Sequence, residues 1–216
     1  MRTRFVAGAL ASALVLMCIV PRASDAQVFG QYTGAEPVGM NSRLAGAYVS
    51  FSGSEATLLG QLRLSFYPNI DFGFQGGLGR VDVARDTRTS VKLGGDLKGL
   101  VARANETNPF DVALSAAIGV ETAEDFTILS VGPGIVASRH VLLANQQTLV
   151  PYVGATLLFS RLDQARTHAT DVSLPLRLGA EYRLNAGLSV VGELGIAVSD
   201  AIRDDVKFTL GANFPF

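Results

Sequence analysis

Residues 172–184 read Val172-Ser173-Leu174-Pro175-Leu176-Arg177-Leu178-Gly179-Ala180-Glu181-Tyr182-Arg183-Leu184. Every even position is apolar, while the odd positions carry Ser, Pro, Arg, Gly, Glu and Arg. Successive side chains of an extended chain point to opposite faces, so this stretch is a strand with one apolar and one polar face. The same alternation recurs from about Glu55 to Phe216 and is punctuated by turn residues. It predicts ten strands, over 43–52, 55–67, 70–83, 90–102, 110–121, 126–139, 150–161, 171–184, 187–199 and 205–216.

The two faces are unequal. In the second strand Leu58, Leu62, Leu64 and Phe66 oppose Gln61, Arg63 and Ser65, and in the fourth Val91, Leu93, Leu97 and Val101 oppose Lys92, Asp96 and Lys98. In the ninth Leu188, Val190, Leu194, Ile196 and Val198 oppose Ser189, Glu193 and Ser199. The apolar faces carry no charge. The polar faces are rich in Gly, Ala and Ser, far poorer in Lys and Glu than a water-washed surface. Small residues suit a narrow interior where side chains crowd together. This predicts a sheet closed on itself, apolar outside against lipid and polar inside: an antiparallel up-and-down transmembrane β-barrel of about ten strands. Eight strands is the alternative, if the first and one other candidate do not cross. The inverted alternative is a soluble periplasmic lipocalin-like barrel carrying apolar ligands.

The connections agree with a barrel. Tyr67-Pro68-Asn69-Ile70 and Leu184-Asn185-Ala186-Gly187 are tight turns. ARDTRTS, DQARTHAT and SDAIRDD, after the third, seventh and ninth strands, are longer and more polar. Short periplasmic turns and longer outer loops are the usual asymmetry of such barrels.

With that facing, the lumen receives Arg63, Lys92, Lys98, Arg177, Arg183 and Lys207 together with Asp71, Asp96, Asp111, Glu121, Glu181 and Glu193. Buried charge is costly unless paired, so balanced signs predict an internal ion-pair network. Arg177, Glu181 and Arg183 share one strand face and form its expected core, with Glu193 on the next strand as partner.

Ahead of the strands, Arg2 and Arg4 precede an apolar run from Phe5 to Val20, and Ser24-Asp25-Ala26 supplies small residues before Gln27. Residues 1–26 therefore read as a cleaved secretory signal peptide. The single cysteine, Cys18, lies inside it, preceded by Met17 rather than a small residue, which argues against lipidation. Residues 27–41 are irregular and read as a periplasmic lead-in, and 42–216 as the barrel. Hydrophobic residues make up 48% and charged residues 17%, against roughly 25% charged in soluble domains. The net charge is −1, and no basic-aromatic patch offers a footprint for nucleic acid.

The last strand carries a further sign. Phe208, Leu210, Ala212, Phe214 and Phe216 alternate up to a terminal aromatic residue. In this the chain resembles small bacterial outer-membrane β-barrel proteins of the OmpA/OmpW-like type, over approximately residues 43–216. Pro215 and Ala212 depart from that pattern. The resemblance implies insertion into the outer membrane, contact with its lipid and lipopolysaccharide, and recognition of Phe208, Leu210, Phe214 and Phe216 by the barrel assembly machinery. Protein partners are otherwise not indicated. Aromatic girdles belong to the same group, here drawn from Phe66, Tyr67, Phe110, Tyr152, Phe159, Tyr182, Phe208 and Phe216.

No catalytic constellation emerges. His140 and His168 are the only histidines and fall near connections at opposite ends. Ser138-Arg139-His140 lacks a third partner, and outer-loop aspartates such as Asp163, Asp171, Asp200, Asp204 and Asp205 read as solvated charges. Gly73-Phe74-Gln75-Gly76-Gly77-Leu78-Gly79 has no following helix and is not a phosphate loop, while Gly132-Pro133-Gly134 predicts a bulge or kink. The residues imply no cofactor and no enzyme. The expected role is a structural barrel or narrow porin-like channel for small polar solutes, with a surface-binding, adhesin-like barrel as the other reading.

Overall fold

The computed structural model describes residues 30–53, 55–83, 86–164, 167–199 and 206–216. The signal peptide expectation, Cys18, the segment 200–205 and its aspartates lie outside them. The strands are β1 (Arg43–Phe51), β2 (Glu55–Tyr67), β3 (Ile70–Val83), β4 (Asp86–Ala102), β5 (Asp111–Thr122), β6 (Phe126–Ser138), β7 (Val141–Leu142), β8 (Thr148–Thr156), β9 (Leu158–Gln164), β10 (Thr167–Asn185), β11 (Leu188–Ser199) and β12 (Val206–Pro215). Sequential neighbours pair antiparallel throughout. β7 is a two-residue arm on β8. β8 and β9 are halves of one stave, since both pair with β6 on one side and β10 on the other. The sheet thus has ten staves, and β12 pairs with β1 to close it. Closure leaves no unpaired edge, the condition for strands to stand in lipid.

The burial pattern fixes which face is which. Leu58, Phe74 and Leu178 are 60%, 55% and 62% exposed, whereas Arg63, Asp71 and Lys98 are 1%, 0% and 0% exposed. Apolar side chains face outward and charged ones inward. A lipocalin-like carrier, which needs the reverse, does not fit this barrel.

Several elements differ from the sequence reading. Of the segments 84–90 and 163–170, expected as polar outer loops, residues 86–90, 163–164 and 167–170 are strand, with β3–β4 paired to Val83↔Asp86 and β9–β10 to Thr167↔Gln164. Their threonines, Thr87, Thr89, Thr167 and Thr170, suit extended chain. No bulge forms at Gly132-Pro133-Gly134, and β6 keeps one register with β5 throughout. Gly132 serves close approach instead, because a Cβ there would lie 1.9 Å from the Leu157 carbonyl oxygen. At the opposite strand the Leu157 N–H reaches the Pro133 carbonyl at 2.9 Å. Register shifts occur in β2–β3, β4–β5 and β10–β11, all beside connections at the end that carries the C-terminus. There Asn69 takes a left-handed φ of 63° in the β2–β3 turn, a conformation Asn tolerates better than most residues. Past Pro215, which cannot donate, Arg43 and Phe216 exchange backbone hydrogen bonds of 3.0 and 2.9 Å and complete the seam.

Eight strands give an interior that side chains alone can fill. Ten leave more space, and residues 30–38 occupy it. Tyr32, Thr33 and Ala35 are buried among lumen residues. The segment expected only as an irregular lead-in therefore forms an internal plug. A closed ladder of this kind resists detergent. Unheated protein in sodium dodecyl sulfate is expected to run as a compact band that shifts on boiling. A single band unaffected by boiling would count against the closed barrel.

Candidate functional site

The inward side chains form three groups. Nearest the C-terminal end, Arg63 on β2 donates to Asp71 at 2.5 Å and to Asp96 at 2.7 and 3.1 Å. Lys98 lies 3.6 Å from the other Asp71 oxygen. Near the opposite end Lys92 bridges Glu55 at 2.6 Å and Glu121 at 2.9 Å, and Lys207 reaches Glu55 at 3.5 Å. The third group surrounds Glu193, which accepts from the Tyr152 hydroxyl at 2.8 Å and lies 4.0 Å from Arg177 Nε. Arg177 also donates to Thr156 at 2.9 Å. Each cation lies against at least one carboxylate, the arrangement that makes buried charge tolerable.

The plug threads this network. Glu193 accepts the Gln31 N–H at 3.0 and 3.2 Å and the Tyr32 N–H at 3.0 Å. Asn213 donates to the Tyr32 carbonyl at 3.0 Å, and Gln75 to the Gly30 carbonyl at 3.4 Å. Lys98 donates to the carbonyls of Gly34 at 2.8 Å and Glu36 at 3.3 Å, and to the Thr33 hydroxyl at 3.1 Å. Ser138 Oγ accepts the Ala35 N–H at 2.8 Å, and Asp71 accepts the Val38 N–H at 2.9 Å. Near the mouth, Glu36 stands 3.3 Å from His140 and 3.4 Å from Arg103.

Two apolar contacts set the depth of the plug. The Tyr32 ring stacks on Tyr48 with centroids 4.1 Å apart, beside Leu59 and Val191. Ala35 is fully enclosed by Ala113, Val136 and Tyr152. The tyrosines of the wall lie flat over glycines: a Cβ on Gly211 would come within 2.2 Å of the Tyr48 ring, and one on Gly179 within 2.3 Å of Tyr152. Between plug and wall, a cavity of about 20 Å³ is lined by Arg63, Gln75, Asp96, Thr156 and Arg177. That is room for about one water, next to the unpartnered Arg63 Nε and Gln75 Oε1.

Sequence-expected residues fall out unevenly. Arg63, Asp71, Asp96 and Lys98 come together, as do Lys92, Glu121 and Lys207. Glu181 accepts chiefly from Ser189 at 2.5 Å, and Arg183 is 43% exposed at the rim, 4.0 Å from Glu181. The expected core of Arg177, Glu181 and Arg183 is therefore not one cluster. Asp111 caps the β4–β5 connection through the Ala104 N–H at 2.8 Å instead of pairing with a cation. Tyr152, expected in an outer girdle, points inward because its strand parity places Val150, Tyr152 and Thr156 in the lumen. Glu55 was missed. It shares parity with Gln61 and Arg63 along β2, and that count places it inside. His140 and His168 sit at opposite ends, with His168 2.6 Å from Asp163. Among the described residues no group of three or more His, Cys, Asp or Glu is placed to hold a metal ion.

A closed antiparallel barrel with an apolar exterior and a charged interior is the fold of bacterial outer-membrane β-barrels. One solved structure shares the fold, and two more superpose only loosely. The β-domain of the Bordetella autotransporter BrkA superposes with a TM-score of 0.51 at 12% identity, over 81% of this chain and 99% of that one. The N-terminal barrel of Pseudomonas aeruginosa OprF covers 83% of this chain and 100% of that one, at 12% identity and a TM-score of 0.37. An outer-membrane channel from Pseudomonas putida F1 covers 88% and 100%, at 13% identity and a TM-score of 0.44. No protein-family model matches the chain, and no curated relative matches its sequence.

Proposed function

We propose that this chain is an integral outer-membrane barrel forming a narrow conduit for small polar solutes, closed at rest by its own residues 30–38. One observation carries this reading. Alongside the ion pairs of the wall, the centre of the barrel is occupied by a chain segment held mainly through hydrogen bonds to charged and polar wall residues. A permanent structural core needs no such filler, and residues 30–38 belong to no strand, so they can leave without disturbing any strand pairing. With it gone, Arg63, Lys98, Arg177, Asp71, Asp96 and Glu193 would line a water-filled passage of mixed charge.

The same proposal places the outward apolar belt in outer-membrane lipid and lipopolysaccharide. The assembly strand fits it: Phe208, Leu210 and Phe214 lie exposed on the outer face of β12, and Phe216 lies exposed just past its end, where assembly machinery would meet them.

Planar-bilayer recording tests the conduit. The natural chain is expected to be silent or to open only briefly. Ala35→Arg puts a long cation into a fully enclosed pocket and is expected to hold the plug out, giving steady small conductance. A variant that keeps its heat-shifted band but passes no current would sink the channel reading.

A further inference from the structure

The plug is bound as a peptide is bound. Of its contacts with the wall, the N–H groups of Gln31, Tyr32, Ala35 and Val38 and the carbonyls of Gly30, Tyr32, Gly34 and Glu36 all meet wall side chains. Main-chain groups are common to every peptide, so these bonds recognise a backbone shape, here a bent one with bends at Thr33, Ala35 and Glu36 and a left-handed φ of 54° at Tyr32. The barrel supplies the two kinds of group this needs. Carboxylates and a hydroxyl (Glu193, Asp71 and Ser138) face the N–H groups, and an ammonium and amides (Lys98, Asn213 and Gln75) face the carbonyls. Glu193, Lys98, Asp71 and Asn213 are almost fully buried, which strengthens each such bond relative to one in water. Side-chain selectivity is confined to two places: an aromatic ring on Tyr48, and three residues later a side chain no larger than methyl against Ala113, Val136 and Tyr152.

We infer that the lumen is a binding site for peptides that can take this bent backbone, bearing an aromatic residue followed at the third position by alanine or glycine, and that residues 30–38 are its resident occupant. This deepens the channel proposal, resting on the same view of the segment as removable. The occupant that replaces it is an unfolded peptide segment entering from the end that carries the C-terminus. The natural segment competes strongly. Tethered through residues 39–42, it acts at an effective concentration on the order of millimolar, so a free peptide at micromolar levels is excluded until the plug is displaced.

The test uses the full chain in detergent micelles and a fluorescent synthetic peptide with the sequence of residues 30–38, followed by anisotropy. The Ala35→Arg chain is expected to bind this peptide saturably, one per barrel, at least tenfold tighter than the natural chain does. The same peptide carrying Ala35→Arg should not bind, and adding Lys98→Met to the variant barrel should abolish binding of the natural peptide. Tyr32→Ala in the full chain is a milder second variant that loosens the plug without a buried charge; it too should admit the peptide. Absence of saturable binding to both folded variants, or equal binding of the Ala35→Arg peptide, would overturn the site. The channel reading is measured separately. A variant that conducts but binds no peptide leaves the conduit standing and removes the peptide site, and one that binds but never conducts does the reverse.

Discussion

Arg63→Met is expected to destabilise the barrel by about 3–5 kcal/mol, the usual cost of stripping one partner from a buried ion pair. Arg63 is the sole guanidinium between two carboxylates, Asp71 at 2.5 Å and Asp96 at 2.7 Å, with Arg63 and Asp71 side chains 1% and 0% exposed. Methionine keeps the apolar stem and removes the charge. Lys98 remains 3.6 Å from Asp71 but already donates to three plug acceptors, so it cannot serve Asp96 as well. Adding Asp96→Asn should recover most of the loss, since one carboxylate and one ammonium then face each other. The measurement is urea unfolding in phospholipid vesicles, read by the fraction of heat-shifted band. A single-variant loss below about 1 kcal/mol, or no recovery in the double variant, would show that the group is solvated and not a buried network.

The fold was legible because strand alternation is a local property. β2 and β3 run as their periodicity predicts, at Glu55–Tyr67 and Ile70–Val83, since each apolar side chain at an even step there must avoid the lumen. The inversion was legible too, because the polar face held too few charges to meet water. The plug was not. Residues 30–38 have no period, and what fixes them is non-local: Glu193 lies 162 residues from Gln31, and Asn213 lies 181 from Tyr32. For the same reason Glu193 was legible as a lumen partner of Arg177, which lies 4.0 Å away, but not as the acceptor of two plug N–H groups. The inward turn of Tyr152 was readable from parity alone. It was obscured because an aromatic residue near a strand end also fits a girdle, and only the glycine facing it, Gly179, shows that the wall leaves room for the ring.

Leu178→Arg should cost about 2–4 kcal/mol in a bilayer, the penalty for a cation on the lipid face near the midplane. Leu178 is 62% exposed and pairs across with Val153 and Leu194, both also outward and apolar. On a water-soluble protein, replacing so exposed a leucine by arginine changes stability by no more than about 0.5 kcal/mol. The two solvents therefore give opposite outcomes for one substitution. The neighbouring residue sharpens the contrast, because Arg177 is 7% exposed and occupies the opposite face one step along the same strand. A matched control is Ala186→Arg in the β10–β11 turn, exposed and outside the apolar belt, which should be neutral. Urea unfolding of all three proteins in the same vesicles makes the comparison. If Leu178→Arg proves as harmless as Ala186→Arg, the outward face does not meet lipid, and both the membrane placement and the conduit built on it fall together.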